Sequence, residues 1–330
     1  MKFDSKKAIK EIIEFTHSDS GKPAQLNVAW GVDKNFMFGA AISMSSILHN
    51  NKDQDIHLHL FTDFIDDDYK RRADLLAKQY SVNISIYIMD ANGLKVLPCK
   101  GAWSYAMYFR FIAFEYLSDR LDTLLYIDAD VICKGALTQF ISLDLNDYVA
   151  AVIRDVEDCP ARKSGENVNY FNSGVIYANL KKWKENDFIH LAINILLEKD
   201  RKLTFPDQDV LNMLFLNKVK MLPRIYNAIY GIKSELISKN LLAYKQYITD
   251  ETVLIHYVGV TKPWNSWANY PSAQYFIDAW KTSPWSDVPL LKARTPKQYK
   301  KKSRHERLQG KYISSVISYI GYLREKVKGN

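Results

Sequence analysis

The chain has 330 residues, of which 47% are hydrophobic and 25% charged, a globular composition that excludes a wholly disordered chain. No apolar run reaches the roughly 18 residues that a membrane-spanning helix needs, and the amino terminus lacks the apolar segment of a secretory signal. Residues 292–330 hold twelve Lys or Arg and two acids, a net +10, within a total of +8, so the basic character belongs to a tail. Because Cys99, Cys133 and Cys159 lack metal or redox spacing, we expect free thiols in a reducing cytoplasm.

The elements follow in chain order. Residues 1–25 are predicted to be an extension with a short amphipathic helix, because apolar residues recur at helical spacing between Ala8 and Phe15. Strand-like runs then alternate with helix-like runs. The predicted strands cover residues 26–31, 56–62, 83–89, 123–127, 148–153, 174–179 and 252–257, and the predicted helices 36–48, 66–80, 105–116, 188–199, 207–216 and 312–323. This alternation predicts an α/β fold with a mixed, mostly parallel sheet covered on both faces.

The last predicted helix differs from the others in its surroundings. Its apolar residues share one face, small polar residues fill the other, and Lys and Arg flank both ends. The apolar positions are Ile313, Val316, Ile317, Ile320 and Leu323. Basic flanks beside an apolar stripe are typical of a helix lying in a membrane interface, and a helix docked on the protein's own core is the alternative. We expect an anionic membrane surface as partner and no nucleic acid, since no nucleic-acid-binding module accompanies the tail.

Candidate ligands for a cation follow the apolar strand at 123–127. The chain has neither the glycine-rich dinucleotide fingerprint nor a P-loop, which argues against a dehydrogenase or a nucleotide hydrolase. A bound nucleotide then needs another positive charge, for which a divalent cation is the obvious source. Asp128 and Asp130 point to the same side of an extended chain. Two carboxylates at the edge of a buried sheet suit a hard cation that also binds a diphosphate, with a solvated strand end as the alternative.

Three further segments carry polar chemistry. His256 ends a strand and is followed by Gly259, which permits close backbone approach, and by Lys262, a compact charge of the kind that binds phosphate. The segment 206–212 is either a ligand-binding element or a helix start with acids in its first turn. The segment 170–175 is a polar step before a strand, with a simple turn as its alternative.

Together these residues resemble glycosyltransferase family 8, a family of retaining nucleotide-sugar transferases with a GT-A-type, Rossmann-like fold. The resemblance covers about residues 26–290 and rests on motifs at 28–36, 104–110, 128–130, 171–174, 207–209 and 256–264. Within the family, the motifs and the basic tail are similar to those of the α-1,3-galactosyl- and glucosyltransferases of the lipopolysaccharide core.

The resemblance implies a role for each matching position. Asp128, Asp130 and His256 resemble the ligands of a Mn²⁺ or Mg²⁺ that bridges the diphosphate of a UDP-sugar. The end of the first core strand resembles the uridine-binding segment, at Gly31, Asp33 and Asn35. The other implied donor-binding residues are Arg110, Ala129, Asn172, Asp207, Gln208, Gly259 and Lys262, of which Arg110, Asp207 and Gln208 are the implied catalytic residues.

The resemblance also implies an activity. It is metal-dependent transfer of galactose or glucose, with retention, from UDP-galactose or UDP-glucose to the outer-core oligosaccharide of lipopolysaccharide. An α-1,3 linkage is favoured, α-1,2-glucosyl transfer is the alternative, and a non-catalytic peripheral membrane or polyanion-binding protein is the alternative from another class. Retention permits front-face attack or a covalent intermediate. Because Gln208 is a neutral amide and a poor nucleophile, the front-face route is favoured, while Asp207 keeps the second route open.

The expected organisation and location follow from the same reading. Residues 1–25 form the extension, 26–265 the GT-A catalytic domain, and 266–330 a carboxyl-terminal region with a basic membrane-associating helix. We expect a cytoplasmic enzyme on the inner face of the bacterial inner membrane. Deletion after Leu291 is expected to release the protein from vesicles and to leave UDP-sugar binding intact.

Overall fold

The computed structural model describes residues 4–18, 21, 23–99, 104–157, 159, 169–198, 201–238 and 240–328. The strands are β1 (Ile9–Thr16), β2 (Leu26–Val32), β3 (Ile56–Thr62), β4 (Asn83–Met89), β5 (Thr123–Ile127), β6 (Val131–Cys133), β7 (Ala150–Arg154), β8 (Phe171–Asn179), β9 (Val219–Leu222), β10 (Ala228–Tyr230) and β11 (Leu254–Tyr257). The helices are α1 (Met37–Asn50), α2 (Asp67–Tyr80), α3 (Phe109–Leu117), α4 (Thr138–Ile141), α5 (Leu180–Glu185), α6 (Phe188–Leu197), α7 (Pro206–Leu214), α8 (Lys233–Ser238), α9 (Gln274–Lys281), α10 (Pro296–Leu308) and α11 (Tyr312–Lys328).

The main sheet has eight strands in the order β1-β4-β3-β2-β5-β8-β7-β9. Its centre, β4-β3-β2-β5, is parallel, whereas β8 runs antiparallel to both β5 and β7. A smaller sheet has the order β10-β11-β6. This confirms the predicted α/β class and the mixed, mostly parallel sheet.

Both faces of the main sheet are buried, which explains why its central strands are apolar throughout. On β2, Val28 and Trp30 face a core that includes α1, whereas Ala29 faces a second core that includes α3. On β5, Leu125 and Tyr126 divide between the two cores in the same way. Successive residues of a strand point to opposite faces, so a strand covered on both sides needs apolar residues at every position.

The predicted amino-terminal helix is wrong, because this segment forms strand β1. β1 pairs antiparallel with β4, with Ile13 opposite Ile86 and Phe15 opposite Ile84. Ile13 and Phe15 pack against the core, while Glu14 between them is exposed. This alternation is the period of a strand, and the β-branched isoleucines favour it. The predicted helix at 105–116 is a 3₁₀ turn, Tyr105–Tyr108, followed by α3. The division of the chain at residues 25 and 265 stays a prediction.

The carboxyl terminus is a helical hairpin of α10 and α11. Thr295 and Gln298 form a capping box at the start of α10, and Gly310, with φ of +74°, lies in the turn. α11 packs on α10 through its small polar side: Oγ of Ser315 donates to the carbonyl of Ser303 at 2.8 Å. Its apolar residues therefore point outward, with Ile313 80% exposed, and the alternative of an apolar face docked on the core is wrong. None of the described helices is long and apolar enough to cross a membrane.

Candidate active site

The two sheets meet where β5 ends, and this junction joins distant parts of the chain. β6 follows Asp130 directly and pairs antiparallel with β11, placing His256 opposite Val131. The backbone N–H of Tyr257 also donates to the carbonyl of Asp130 at 2.9 Å. A short strand pairing therefore brings an imidazole from late in the chain beside the two aspartates that follow β5.

Asp128, Asp130 and His256 form one cluster, called here the Asp-Asp-His cluster. Nε2 of His256 lies 3.3 Å from Oδ1 of Asp130 and 4.0 Å from Oδ2 of Asp128. One possible ligand atom from each residue lies within 4.8 Å of the others, and within the described ranges no other group of three His, Cys, Asp or Glu does so. Two carboxylates and one imidazole are a donor set that fits a divalent cation such as Mn²⁺ or Mg²⁺.

Two residues that the sequence analysis did not assign to the site fix the imidazole of His256. Its Nδ1 lies 3.2 Å from Oδ1 of the fully buried Asn227. Because that amide oxygen only accepts, Nδ1 donates to it, and Nε2 is the ring atom that faces the two aspartates and would bind a cation. At Gly174, a Cβ would lie 2.3 Å from Cε1 of His256, so only glycine leaves room for the ring. Asn227 belongs to no motif, whereas Gly174 ends the motif at 171–174.

Lys262 reaches back from the loop after β11 to the same cluster. Its Nζ contacts the Asp130 carboxylate and donates to the carbonyl of Tyr257 at 2.8 Å. Burial by itself would raise the pKa of Asp130, but Lys262 and His256 lower that pKa below its usual value. The loop turns at Gly259, whose φ of +92° is a conformation that residues with a side chain rarely adopt.

Arg110 is a buried cation that links two of the predicted acids. Its Nη2 donates to Oδ1 of Asp128 at 2.8 Å, and its Nε lies 3.2 Å from Oδ2 of Asp207. Its Nη1 donates to the carbonyl of Ser173 at 2.7 Å. Burial opposes its charge, but Asp128 and Asp207 raise the pKa of Arg110 above its usual value. The guanidinium therefore stays charged at the edge where the Asp-Asp-His cluster lies.

Gln208 is held by hydrogen bonds at both ends of its amide. Oε1 accepts from the backbone N–H of Ser173 at 2.9 Å and from Nδ2 of Asn172 at 3.2 Å. Nε2 donates to Oδ2 of Asp155 at 2.9 Å and to the hydroxyl of Tyr170 at 3.1 Å. The amide orientation is thus fixed. Asp155 is buried and lies in no motif, so the sequence offered no signal for it.

The first turn of α7 divides its acids between two roles. Oδ2 of Asp209 accepts from the backbone N–H groups of Thr204 and Phe205, at 2.7 and 3.0 Å. Asp209 therefore stabilises the helix start, as the alternative interpretation of this segment proposed. Asp207, two residues earlier, turns to Arg110 instead. The helix-start interpretation of the segment 206–212 thus applies to Asp209, and ligand binding by Asp207 stays a prediction.

Two family models match the sequence of this chain, each over a different part of it. A model of the family described as "Glycosyl transferase family 8" matches residues 27–268. A second, described as "Glycosyl transferase family 8 C-terminal", matches residues 270–326. The chain belongs to glycosyltransferase family 8. It is therefore an enzyme, and the alternative of a non-catalytic polyanion-binding protein is set aside.

Individual relatives of this family 8 enzyme align over almost its whole length. It is 42% identical to the lipopolysaccharide 1,2-glucosyltransferase of Escherichia coli, over 98% of both chains. It is 35% identical to the lipopolysaccharide 1,3-galactosyltransferase of Salmonella typhimurium, over 99% of this chain and 98% of the relative. The solved structure of the galactosyltransferase LgtC, in complex with donor and acceptor sugar analogues, matches with a TM-score of 0.67 and 21% identity, over 84% of this chain and all of that one. The last match confirms the GT-A-type fold.

The remaining predicted residues of the family 8 enzyme lie at the same edge but outside the cluster. β2 runs parallel to β5, so Gly31 near the end of β2, and Asp33 and Asn35 just after it, lie beside the end of β5. The N–H of Gly31 donates to the hydroxyl of Tyr126 at 3.1 Å, and Oδ1 of Asp33 accepts from the backbone N–H of Asn35 at 2.8 Å. A Cβ at Gly31 would clash with Phe109 at 2.8 Å. Ala129 lies buried between the two aspartates.

Proposed function

We propose that this enzyme transfers a hexose from a UDP-sugar to the core oligosaccharide of lipopolysaccharide, with retention of the α configuration. The observation that carries the proposal is the convergence of Asp128, Asp130 and His256 beside the cations Lys262 and Arg110. Two relatives named as lipopolysaccharide glycosyltransferases align over 98–99% of this chain, which supports lipopolysaccharide as the acceptor.

The proposed metal ligands are the three members of the Asp-Asp-His cluster. A bound Mn²⁺ or Mg²⁺ supplies positive charge beside the diphosphate of the donor. Lys262 and Arg110 add permanent charges from this chain at the same edge. Breaking the sugar–phosphate bond leaves negative charge on UDP, and such fixed cations stabilise that charge as it develops.

The other proposed donor contacts follow the family pattern. Gly31, Asp33 and Asn35 are proposed to bind uridine at the end of β2. Ala129, Asn172 and Gly259 are proposed to line the donor, with Asp207 and Gln208 beside the hexose. β2, β5 and β8 present Gly31, Asp33, Asn35, Ala129 and Asn172 at one edge of the main sheet, which supports the assignment of these five.

The side-chain contacts favour front-face attack over a covalent intermediate. Gln208 is neutral, and both ends of its amide are occupied by hydrogen bonds. Asp207 forms an ion pair with Arg110, which weakens it as a nucleophile. In the favoured route the acceptor oxygen bonds to the anomeric carbon on the face from which the phosphate leaves. The bond to the phosphate breaks, and a phosphate oxygen takes the proton of the acceptor hydroxyl.

Two donor and linkage pairs are candidates. The sequence motifs favoured an α-1,3 linkage, whereas the identity of 42% to a 1,2-glucosyltransferase, against 35% to a 1,3-galactosyltransferase, favours UDP-glucose and a 1,2 linkage. The test supplies UDP-glucose or UDP-galactose with truncated core lipopolysaccharide, in the presence of Mn²⁺, Mg²⁺ or EDTA. Metal-dependent transfer of one hexose supports the proposal, and NMR of the product assigns the linkage. Transfer unaffected by EDTA would contradict it.

Peripheral attachment to the cytoplasmic face of the inner membrane is also proposed. α11 exposes an apolar face, with Ile313, Ile317 and Ile320 at 80, 63 and 43% exposure. Partitioning of such a face, aided by nearby basic residues, gives reversible attachment to an anionic bilayer. Replacing these three isoleucines by serine should at least halve sedimentation with anionic vesicles and leave turnover of a deacylated acceptor unchanged. Full retention on vesicles would contradict the proposal.

Truncation at Leu291 is a poor test of that attachment. It removes His305, which is fully buried and whose Nε2 lies 3.2 Å from Oγ1 of Thr261, next to Lys262. The expectation that such a deletion leaves UDP-sugar binding intact therefore needs revision, because α10 supports the Lys262 loop. Substitutions on the outer face of α11 avoid this contact.

A further inference from the structure

Five cations gather outside the site, where α8 meets α10. Four lie on one face of α10 at the spacing i, i+3, i+4 and i+7, and one begins α8, which contacts α10. They are Lys297, Lys300, Lys301, Arg304 and Lys233, called here the α8–α10 cation cluster. Over the described ranges, none of the five forms an ion pair.

This cluster concentrates positive charge, and no described acid forms an ion pair with its members. Burial and then the charge of Lys233, followed by those of the α10 cations, lower the pKa of Lys301. Lys302, the next residue on α10, is paired with an acid, because its Nζ lies 2.9 Å from Oε1 of Glu306. Five cations without an acid form a surface complementary to a multiply charged anion.

The cluster lies close to the loop that carries Lys262. α8 follows β10, and β10 pairs with β11, where His256 lies. On the other side, His305 of α10 contacts Oγ1 of Thr261. The segments that carry the cations thus flank the 258–262 loop from two directions, which places the cluster on the periphery of the proposed donor site.

The cluster points away from the proposed membrane face. The side of α10 that packs on α11 is formed by Tyr299, Lys302, Ser303 and Glu306. From the edge of the cluster, Nζ of Lys300 also reaches α11 and lies 5.4 Å from the centroid of the Tyr322 ring. At 3.6 residues per turn, the centre of the four α10 cations lies roughly 160° from the centre of that side. Apart from the Lys300 side chain, which lies on Tyr322 of α11, the cluster is therefore separated from the exposed isoleucines of α11 by two helices, each about 10 Å wide. A bilayer contacting α11 is badly placed to supply the anion.

We propose that the α8–α10 cation cluster binds phosphate esters on the saccharide of the acceptor. This inference rests on the proposed function for the identity of the acceptor. Lysine ammonium groups and an arginine guanidinium are the usual ligands of phosphate monoesters. Such a subsite, beside the Lys262 loop, would orient a phosphorylated oligosaccharide before its hydroxyl meets the donor.

The test compares two acceptors and two variants of the full-length protein. The acceptors are deacylated core oligosaccharide with its phosphate monoesters and the same oligosaccharide after their removal. The test variant is K297Q/K300Q/R304Q, and the matched control, with the same charge change on the same hairpin, is K311Q/R324Q/K326Q. Calorimetric binding and the KM for each acceptor are measured, with donor hydrolysis as a check on the donor site.

The wild-type protein and the control should bind the phosphorylated oligosaccharide at least about tenfold more tightly than the dephosphorylated one. The test variant should lose that preference and keep donor hydrolysis. Equal binding of both acceptors by the wild-type protein, or an unchanged preference in the test variant, overturns the inference. So does a variant that loses only its affinity for anionic vesicles, because the anion is then a lipid headgroup.

The outcome is separable from that of the proposed function. If the wild-type protein transfers hexose to neither oligosaccharide, the proposed function fails. Calorimetry still tests the proposed role of the cluster. Phosphate-dependent binding that is lost in the test variant supports that role, and the absence of phosphate-dependent binding overturns it.

Discussion

Two regions differ in where their polar side chains lie: the sheet edge with the Asp-Asp-His cluster, and the α10–α11 hairpin. At the sheet edge, polar side chains from distant segments are buried together and satisfy one another, as Asn227 does for His256. In the hairpin, the inner surface is polar, with Ser318 donating to Glu306 at 2.6 Å, and the isoleucines face outward. The first arrangement holds the side chains of the site in fixed positions, whereas the second leaves an apolar surface that can contact another molecule or a membrane.

One hydrogen-bonded side chain joins the two regions. His305 of α10 contacts Thr261 through Nε2 and the hydroxyl of Tyr270 through Nδ1, at 3.2 and 2.8 Å. Substitutions at the sheet edge should therefore change catalysis alone, and substitutions on the outer face of the hairpin should change surface binding alone. Substitutions at the His305 contact should change donor binding weakly.

The largest effect is expected for Asp128→Asn, which keeps the side-chain shape and removes a charge from the cluster. Turnover of the UDP-sugar should fall by at least about 10³, because a proposed metal ligand and the partner of Arg110 are lost together. Circular dichroism should show an intact fold, and vesicle binding should not change. Near-normal turnover would remove Asp128 from the site.

Gly174→Ala should produce the next largest effect. The new methyl group must displace the imidazole of His256, and a shift of about 1 Å at such a site costs on the order of 10² in rate. The matched control is Gly93→Ala, since a Cβ there meets nothing within 4 Å. Equal activity of the two variants would show that the position of His256 does not matter.

Thr261→Val tests the contact between the two regions. It keeps the side-chain volume and leaves Nε2 of His305 without its partner, a loss of about 1 kcal/mol. The KM for the donor should rise roughly fivefold with kcat little changed. Tyr270→Phe removes the other contact of the same ring, away from the loop, and should leave that KM nearly unchanged. A rise in KM only in Tyr270→Phe would contradict the role of Thr261.

The smallest effect concerns a histidine outside both regions. Burial lowers the pKa of His57 to about 4, from 6.5 in the unfolded chain. Between these values the unfolded chain binds the proton more tightly, so the free energy of unfolding should decrease as the pH falls from 6.5 towards 4. Urea titrations between pH 7 and 5 should show a shallower decrease in His57→Gln. An identical pH dependence would contradict the assignment.

The central fold could be predicted from long apolar patterns in the sequence. Features that depend on contacts between short elements could not be predicted. β3, β4 and β5 were predicted at their observed bounds, because strands buried on both faces are apolar throughout. β1 was mistaken for a helix, since an edge strand with one buried side has few apolar positions and its pairing depends on β4. The motifs gave Asp128, Asp130 and His256. They did not give Asn227 or Asp155, whose hydrogen bonds to His256 and Gln208 arise only when distant segments pack together.

The central claim is that the Asp-Asp-His cluster binds one divalent cation. Its most direct test is calorimetric titration of Mn²⁺ into the UDP-saturated wild-type protein, Asp128→Asn and His256→Gln, with the exposed Asp68→Asn as control. One ion should bind to the wild-type protein and to the control, and affinity should fall at least about a hundredfold in both cluster variants. Unchanged Mn²⁺ affinity in the two cluster variants would contradict the account.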